Sequence, residues 1–224
     1  ALLRSGSARA QEEAAAALGY LALDNADNQE AIARADAIDP LVALVRSGSS
    51  GAQLEAATAL STLAFANADN NVAIARAGAI EPLVALVRSS SARGQAVAAT
   101  ALYFLATGSA DNQEAIARAG AIEPLAALVR SGSAGAQKAA AGALAHVAFG
   151  NADIRVALVQ PGLGMALEAL VQLMLKRRAL FALLKLVLDV FFEGPGVLLT
   201  IVAGAPLALY VVYSRWTARP RAKQ

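Results

Sequence analysis

His146 is the only histidine in the 224-residue chain, and there is no cysteine at all. One imidazole without a second imidazole or a thiolate builds neither a histidine pair for proton transfer nor a nitrogen–sulfur metal site. No phosphate-cradling G-x-x-x-x-G-K loop, no nucleophile elbow and no carboxylates at metal-ligand spacing occur either. The residue types therefore predict a non-catalytic protein with no metal, no cofactor and no small-molecule substrate. What they leave is non-covalent recognition, and here spacing matters. Arg34, Arg76 and Arg118 recur every 42 residues, each near the end of an expected helix where a cation complements the helix dipole. The stretch RSGS recurs at Arg4, Arg46 and Arg130; it reads as a basic, phosphorylatable loop or simply as the Ser and Gly that a tight turn requires.

The elements that carry these residues follow from repetition. DNQEAIARADAIDPLVALVRSGS starts at Asp27, DNNVAIARAGAIEPLVALVRSSS at Asp69 and DNQEAIARAGAIEPLAALVRSGS at Asp111, with prolines at 40, 82 and 124. Each unit of about 42 residues reads as three helices. The first runs from Asp27 to Ala35, with Asp27 and Glu30 spaced as a capping box. It stops at Gly78 or Gly120 in two copies and at Asp36 in the first, where a left-handed residue closes the helix. The second, from about Ala37 to Arg46, holds its proline in the first turn and repeats apolar residues at helical spacing. The third, such as GAQLEAATALSTLAFAN from Gly51, is rich enough in alanine for close helix approach. No such unit closes a core alone, so successive units must stack.

These stretches, NQEAIARAGAIEPLVALVRSGS followed by AATALSTLA, resemble the armadillo repeat over roughly residues 1–160. The resemblance implies an all-α, right-handed armadillo-like α-solenoid whose third helices line a concave groove for extended peptides. In that family an Asn ladder, with Trp one turn earlier, clamps the peptide backbone. The positions matching the Asn are Tyr20, Thr62, Phe104 and His146, and those matching the Trp are Ala16, Thr58, Thr100 and Gly142. The clamp is absent, so a groove partner of other chemistry is expected. Tyr20 and Phe104 are either aromatic anchors for that partner or packing residues, and His146 is a structural or groove-surface residue.

Composition adds a second theme. Hydrophobic residues make up 57% and charged residues 16%, with a mean hydropathy of +0.51, which is apolar for a globular chain. Residues 1–160 hold 11 Lys/Arg against 14 Asp/Glu, whereas residues 161–224 hold 8 against 3. The basic balance thus belongs to the tail, and no basic stripe on the folded part points to nucleic acid.

The repeat fails after Asp153. We read residues 1–26 as the end of a repeat that opens part-way, with upstream residues expected. Repeats follow at 27–68, 69–110 and 111–152, then a degenerate repeat and connecting helix at 153–178. An amphipathic interfacial or membrane helix is expected at 179–193, a transmembrane helix at 194–214 and a basic tail at 215–224. Gly194 to Ser214 has no charge for 21 residues, enough at about 1.5 Å per residue to cross roughly 30 Å of hydrocarbon. Its apolar body is Val197, Leu198, Leu199, Ile201, Val202, Leu207, Leu209, Val211 and Val212. Tyr210, Tyr213 and Trp216, with Arg215 and Arg219, resemble an aromatic belt and positive-side anchor. Lys185 and Asp189 lie four apart on the preceding helix and could pair; a single span and a helical hairpin are both open.

The combined expectation is a membrane-anchored interaction scaffold, an accessory or stabilising subunit of a larger membrane complex whose partners are proteins and lipid. A thylakoid or mitochondrial inner membrane is the expected location, a reading that rests on no particular residue. A soluble armadillo adaptor, and a membrane enzyme or transporter subunit using Lys185 and Asp189, are the alternatives.

Overall fold

The computed structural model describes residues 1–89 and 91–149. They are helical throughout and repeat in threes. After α1 (Leu2–Ser5) and α2 (Ala8–Ala22) come α3 (Ala26–Arg34), α4 (Ile38–Ser47) and α5 (Ser50–Ala64), then α6 (Ala68–Arg76), α7 (Ile80–Ser89) and α8 (Ala92–Ala106), and finally α9 (Ala110–Arg118), α10 (Ile122–Ser131) and α11 (Ala134–Phe149). The third helices of successive units pack side by side in the order α2, α5, α8, α11, and the second helices follow as α4, α7, α10. The described residues thus form the expected α-solenoid.

Local chemistry sets each boundary. Asn25, Asn67 and Ser109 cap the first helices by accepting from the N–H of Asn28, Asn70 and Asn112. The capping box expected at Asp27 and Glu30 is therefore corrected: the cap falls two residues earlier, Asp27 lies in the first turn, and Glu30 pairs with Arg34 at 3.3 Å. The Asn25 side chain satisfies the orphan amide three residues on, the role expected of Asp27, but at Asn28 in place of Glu30. Ser7, Ser49, Ser91 and Ser133 cap the third helices in the same way. The first-to-second helix turn passes through Asp36 at φ 53°, Gly78 at φ 77° and Gly120 at φ 72°, as expected from the sequence.

The core lies between the helix rows. Leu41, Leu60, Leu63, Ile74, Leu83, Leu102, Leu105, Ile116 and Leu125 are all fully buried. Small residues let the third helices approach closely: a Cβ on Gly19 would sit 3.4 Å from the Cα of Ala59. Burying such stripes between neighbours stabilises each unit by roughly 25 cal/mol per Å² of apolar surface removed from water, which a lone three-helix unit could not achieve.

Polar side chains fasten the units. Asn28, Asn70 and Asn112 each donate back to a carbonyl at the end of the preceding third helix, those of Leu21, Leu63 and Leu105. Gln29 goes further, donating to Thr62 O of the next unit at 3.1 Å. Arg46 and Arg88 extend from the second helices to the carbonyls of Gly78 and Gly120, one unit onward.

Candidate functional site

The third helices present the surface best suited to a partner. Positions spaced four apart make three rows across α2, α5, α8 and α11: Glu12, Leu54, Ala96 and Lys138; Ala16, Thr58, Thr100 and Gly142; and Tyr20, Thr62, Phe104 and His146. None of these residues is buried, whereas Ala15, Ala57, Ala99 and Ala141, one place before the middle row, all are. Helical geometry separates the two sets, because residues four apart share a face and the adjacent position turns about 100° away.

The groove candidates expected from sequence sit in this face, but not as a uniform ladder. Tyr20 is 77% exposed on the last turn of α2. Thr62 is half-buried and donates its hydroxyl to Thr58 O at 2.9 Å; Thr58 and Thr100 likewise donate to Leu54 O and Ala96 O. Phe104 and His146 are half-buried and belong to a chain of ring contacts that two further residues complete. Phe65 meets Phe104 edge-on at 5.2 Å between centroids, Tyr103 lies 5.1 Å from Phe104, and Tyr103 lies 5.3 Å from His146. Such contacts favour the edge-to-face and tilted geometries seen here. Phe65 is 44% exposed. A Cβ on Gly142 would fall 2.7 Å from the Tyr103 ring, so the missing side chain at 142 is what admits that ring.

Phe65 and Tyr103 escape a search for repeated residues because most of their equivalents are not aromatic: Leu23 and Thr107 for the first, with only Phe149 matching it, and Gly19, Ser61 and Ala145 for the second. The signal was departure from the repeat. Burial holds the His146 imidazole below its ordinary pKa, so it is biased towards the neutral form. The arginine ladder is a surface feature: Arg34 and Arg118 pair with Glu30 and Glu114 on exposed helix faces. Arg76 has Val72 at the corresponding position. The arginines that reach across units are instead Arg46 and Arg88, to backbone carbonyls, and Arg93, to Glu55. Two shallow clefts of about 270 and 310 Å³ lie between neighbouring second helices, at Pro40 and Leu44 and again at Pro124 and Leu128. Their spacing by two repeats marks them as a by-product of stacking.

Among the described residues no three His, Asp or Glu side chains gather as a metal site, and no helix is long and apolar enough to cross a membrane. Lys185, Asp189 and the whole of 194–214 lie outside the described residues, as do the anchors Tyr210, Tyr213, Arg215, Trp216 and Arg219.

A family model of the armadillo/beta-catenin-like repeat matches residues 25–65, 67–106 and 109–149. The chain belongs to the armadillo repeat family. Its three matched armadillo repeats coincide with the three helix triplets. Among solved structures, an engineered protein is similar over 96% of this chain and 91% of its own length, at 32% identity and a TM-score of 0.72. Computationally designed armadillo repeat proteins for modular peptide recognition are 30% identical over 75% of this chain and 70% of theirs, with a TM-score of 0.69. A designed armadillo repeat protein in complex with peptide (KR)4 is 30% identical over the same shares, with a TM-score of 0.68. No curated protein matches the chain.

Proposed function

We propose that this armadillo repeat chain is a non-catalytic scaffold that receives a peptide segment of a protein partner on its third-helix face. The observation that carries the reading is the solvent-reaching set of rows on α2, α5, α8 and α11, crossed by the ring chain from Phe65 to His146. Aromatic side chains with an exposed edge dominate the energetics of protein interfaces. The designed armadillo relatives, made for peptide recognition, support the same use of the fold. A photo-reactive phenylalanine placed at Tyr20 in the full chain should crosslink to a protein partner, and the same group at Arg34 should not. Equal crosslinking from both positions would remove the third-helix face as the binding surface.

We further propose that apolar C-terminal helices hold the scaffold at a membrane, where it serves as an accessory or stabilising subunit of a larger complex. The uncharged run from Gly194 to Ser214, with aromatic and basic residues at its end, supports this reading. Extraction of native membranes with alkaline carbonate should leave the chain in the pellet. Release into the supernatant would replace the anchored subunit with a soluble adaptor. Organelle fractionation beforehand assigns the membrane, for which thylakoid and mitochondrial inner membranes are the proposed locations.

A further inference from the structure

We infer that the segment received on the third-helix face is an amphipathic α-helix, laid across the row with its N-terminus over α2. The inference rests on the reading of that face as a binding surface and adds the form and polarity of the ligand.

The hydrogen-bonding capacity of the face favours a helix. Thr58, Thr62 and Thr100 each commit their hydroxyl hydrogen to a carbonyl of their own helix, at 2.9, 2.9 and 2.7 Å. They confront a ligand as acceptors only. The remaining side-chain donors in the middle and last rows and the adjoining ring chain are the phenols of Tyr20 and Tyr103 and one nitrogen of neutral His146. An extended segment brings one carbonyl per residue to the surface and would leave most of them unpaired once water is displaced. A helix satisfies its own backbone and needs only an apolar stripe. Phe65, Phe104 and Tyr103 supply the apolar surface for that stripe. Four helices packed at roughly 8–10 Å span about 25–30 Å, which matches a helix of about 20 residues.

Charge sets the direction. Glu12, Glu13 and Glu55 lie on α2 and α5, while Arg93 and Lys138 lie on α8 and α11. Arg9 pairs with Glu13 and Arg93 with Glu55, and neither Glu12 nor Lys138 is in an ion pair among the described residues. With Glu13 and Glu55 neutralised and the Glu12 carboxylate lying against Gly51 in the first turn of α5, Lys138 sets the polarity: the negative C-terminal end of a helix dipole is favoured beside it, and the N-terminus falls over α2. Acidic residues in the last turn of the ligand strengthen the same polarity.

The test pans the full chain against two displayed libraries of about 20 residues, the length of the row. One has an alanine-rich helical frame with one face randomised; the other is randomised between prolines at every fourth position and stays extended. Enrichment should come from the helical library, with an apolar face and acids near the C-terminus. Tyr20→Ser and Tyr103→Ala should each weaken the selected peptides about tenfold, equivalent to loss of one anchor. Lys138→Glu should select basic C-termini in place of acidic ones. Enrichment from the extended library alone overturns the helix and leaves the peptide-binding reading standing. Helical clones indifferent to Tyr20→Ser and Tyr103→Ala also overturn it, since they bind elsewhere. Failure of both libraries removes the peptide-binding reading with it.

Discussion

The ring of Tyr103 on α8 occupies the space that a side chain at Gly142 on α11 would fill, with Cδ2 only 2.7 Å from the ideal Cβ position. That overlap couples two repeats through a residue that has no side chain. Gly142→Ala should cost about 1–3 kcal/mol by forcing the ring aside. In a Tyr103→Ala background the same change should instead stabilise by about 1 kcal/mol, because alanine is the better helix former. A double-mutant cycle by chemical denaturation reads the reversal of sign; equal effects in both backgrounds would show that the ring and Gly142 are not coupled.

Asn71 should respond oppositely. It is buried, and its side-chain oxygen has no hydrogen-bond partner. At the equivalent positions Gln29 and Gln113 reach the carbonyls of Ala22 and Ala106 with one more methylene. Asn71→Gln is expected to gain about 1 kcal/mol, because the longer side chain carries its amide nitrogen to the equivalent carbonyl of Ala64 and moves the oxygen out of its unpartnered position. Thermal unfolding of the two proteins measures it, and an unchanged or lowered midpoint would mean that the longer side chain finds no room.

Much of this was legible beforehand, and the misses have physical causes. Repetition exposed the helix triplets, the prolines and the left-handed closures at Asp36, Gly78 and Gly120, because each follows from local backbone chemistry at a fixed pitch. The first helix began earlier than expected because Asn25 and Asp27 are both good caps, and only the fold decides which one adopts the extended conformation. The ring chain stayed hidden because Phe65 and Tyr103 interact with neighbouring repeats rather than with their own equivalents. Tyr20, which is aromatic at the aligned position, makes no ring contact among the described residues.

The two arginine ladders should separate under mutation. Arg88 donates to Gly120 O at 2.8 Å in the next repeat, whereas Arg34 makes an exposed pair within its own helix. Arg88→Met should lower stability by about 1 kcal/mol, and Arg34→Met by less than about 0.5 kcal/mol. Hydrogen exchange of amides around Gly120 reads the difference locally, and comparable protection in both variants would deny Arg88 its role between repeats.

His146 predicts a pH dependence. Burial lowers its folded pKa below the ordinary 6.5 of an unfolded chain. As pH falls below that value the unfolded state takes up the proton first, so stability declines until the folded state is protonated as well. The stability difference between the native protein and His146→Gln, followed from pH 8 downwards, should therefore shrink on acidification as the native protein loses this advantage. A difference independent of pH would mean that the imidazole titrates as it does in water.

The helix pairs that pack most extensively all belong to the same repeat or to adjacent ones. Tension applied along such a stack is carried in series, with no strand among the described residues and no disulfide to bridge distant repeats and share it. The described residues should therefore yield to pulling one unit at a time at low force, each step releasing about 42 residues of chain, and recover their length on relaxation like a spring.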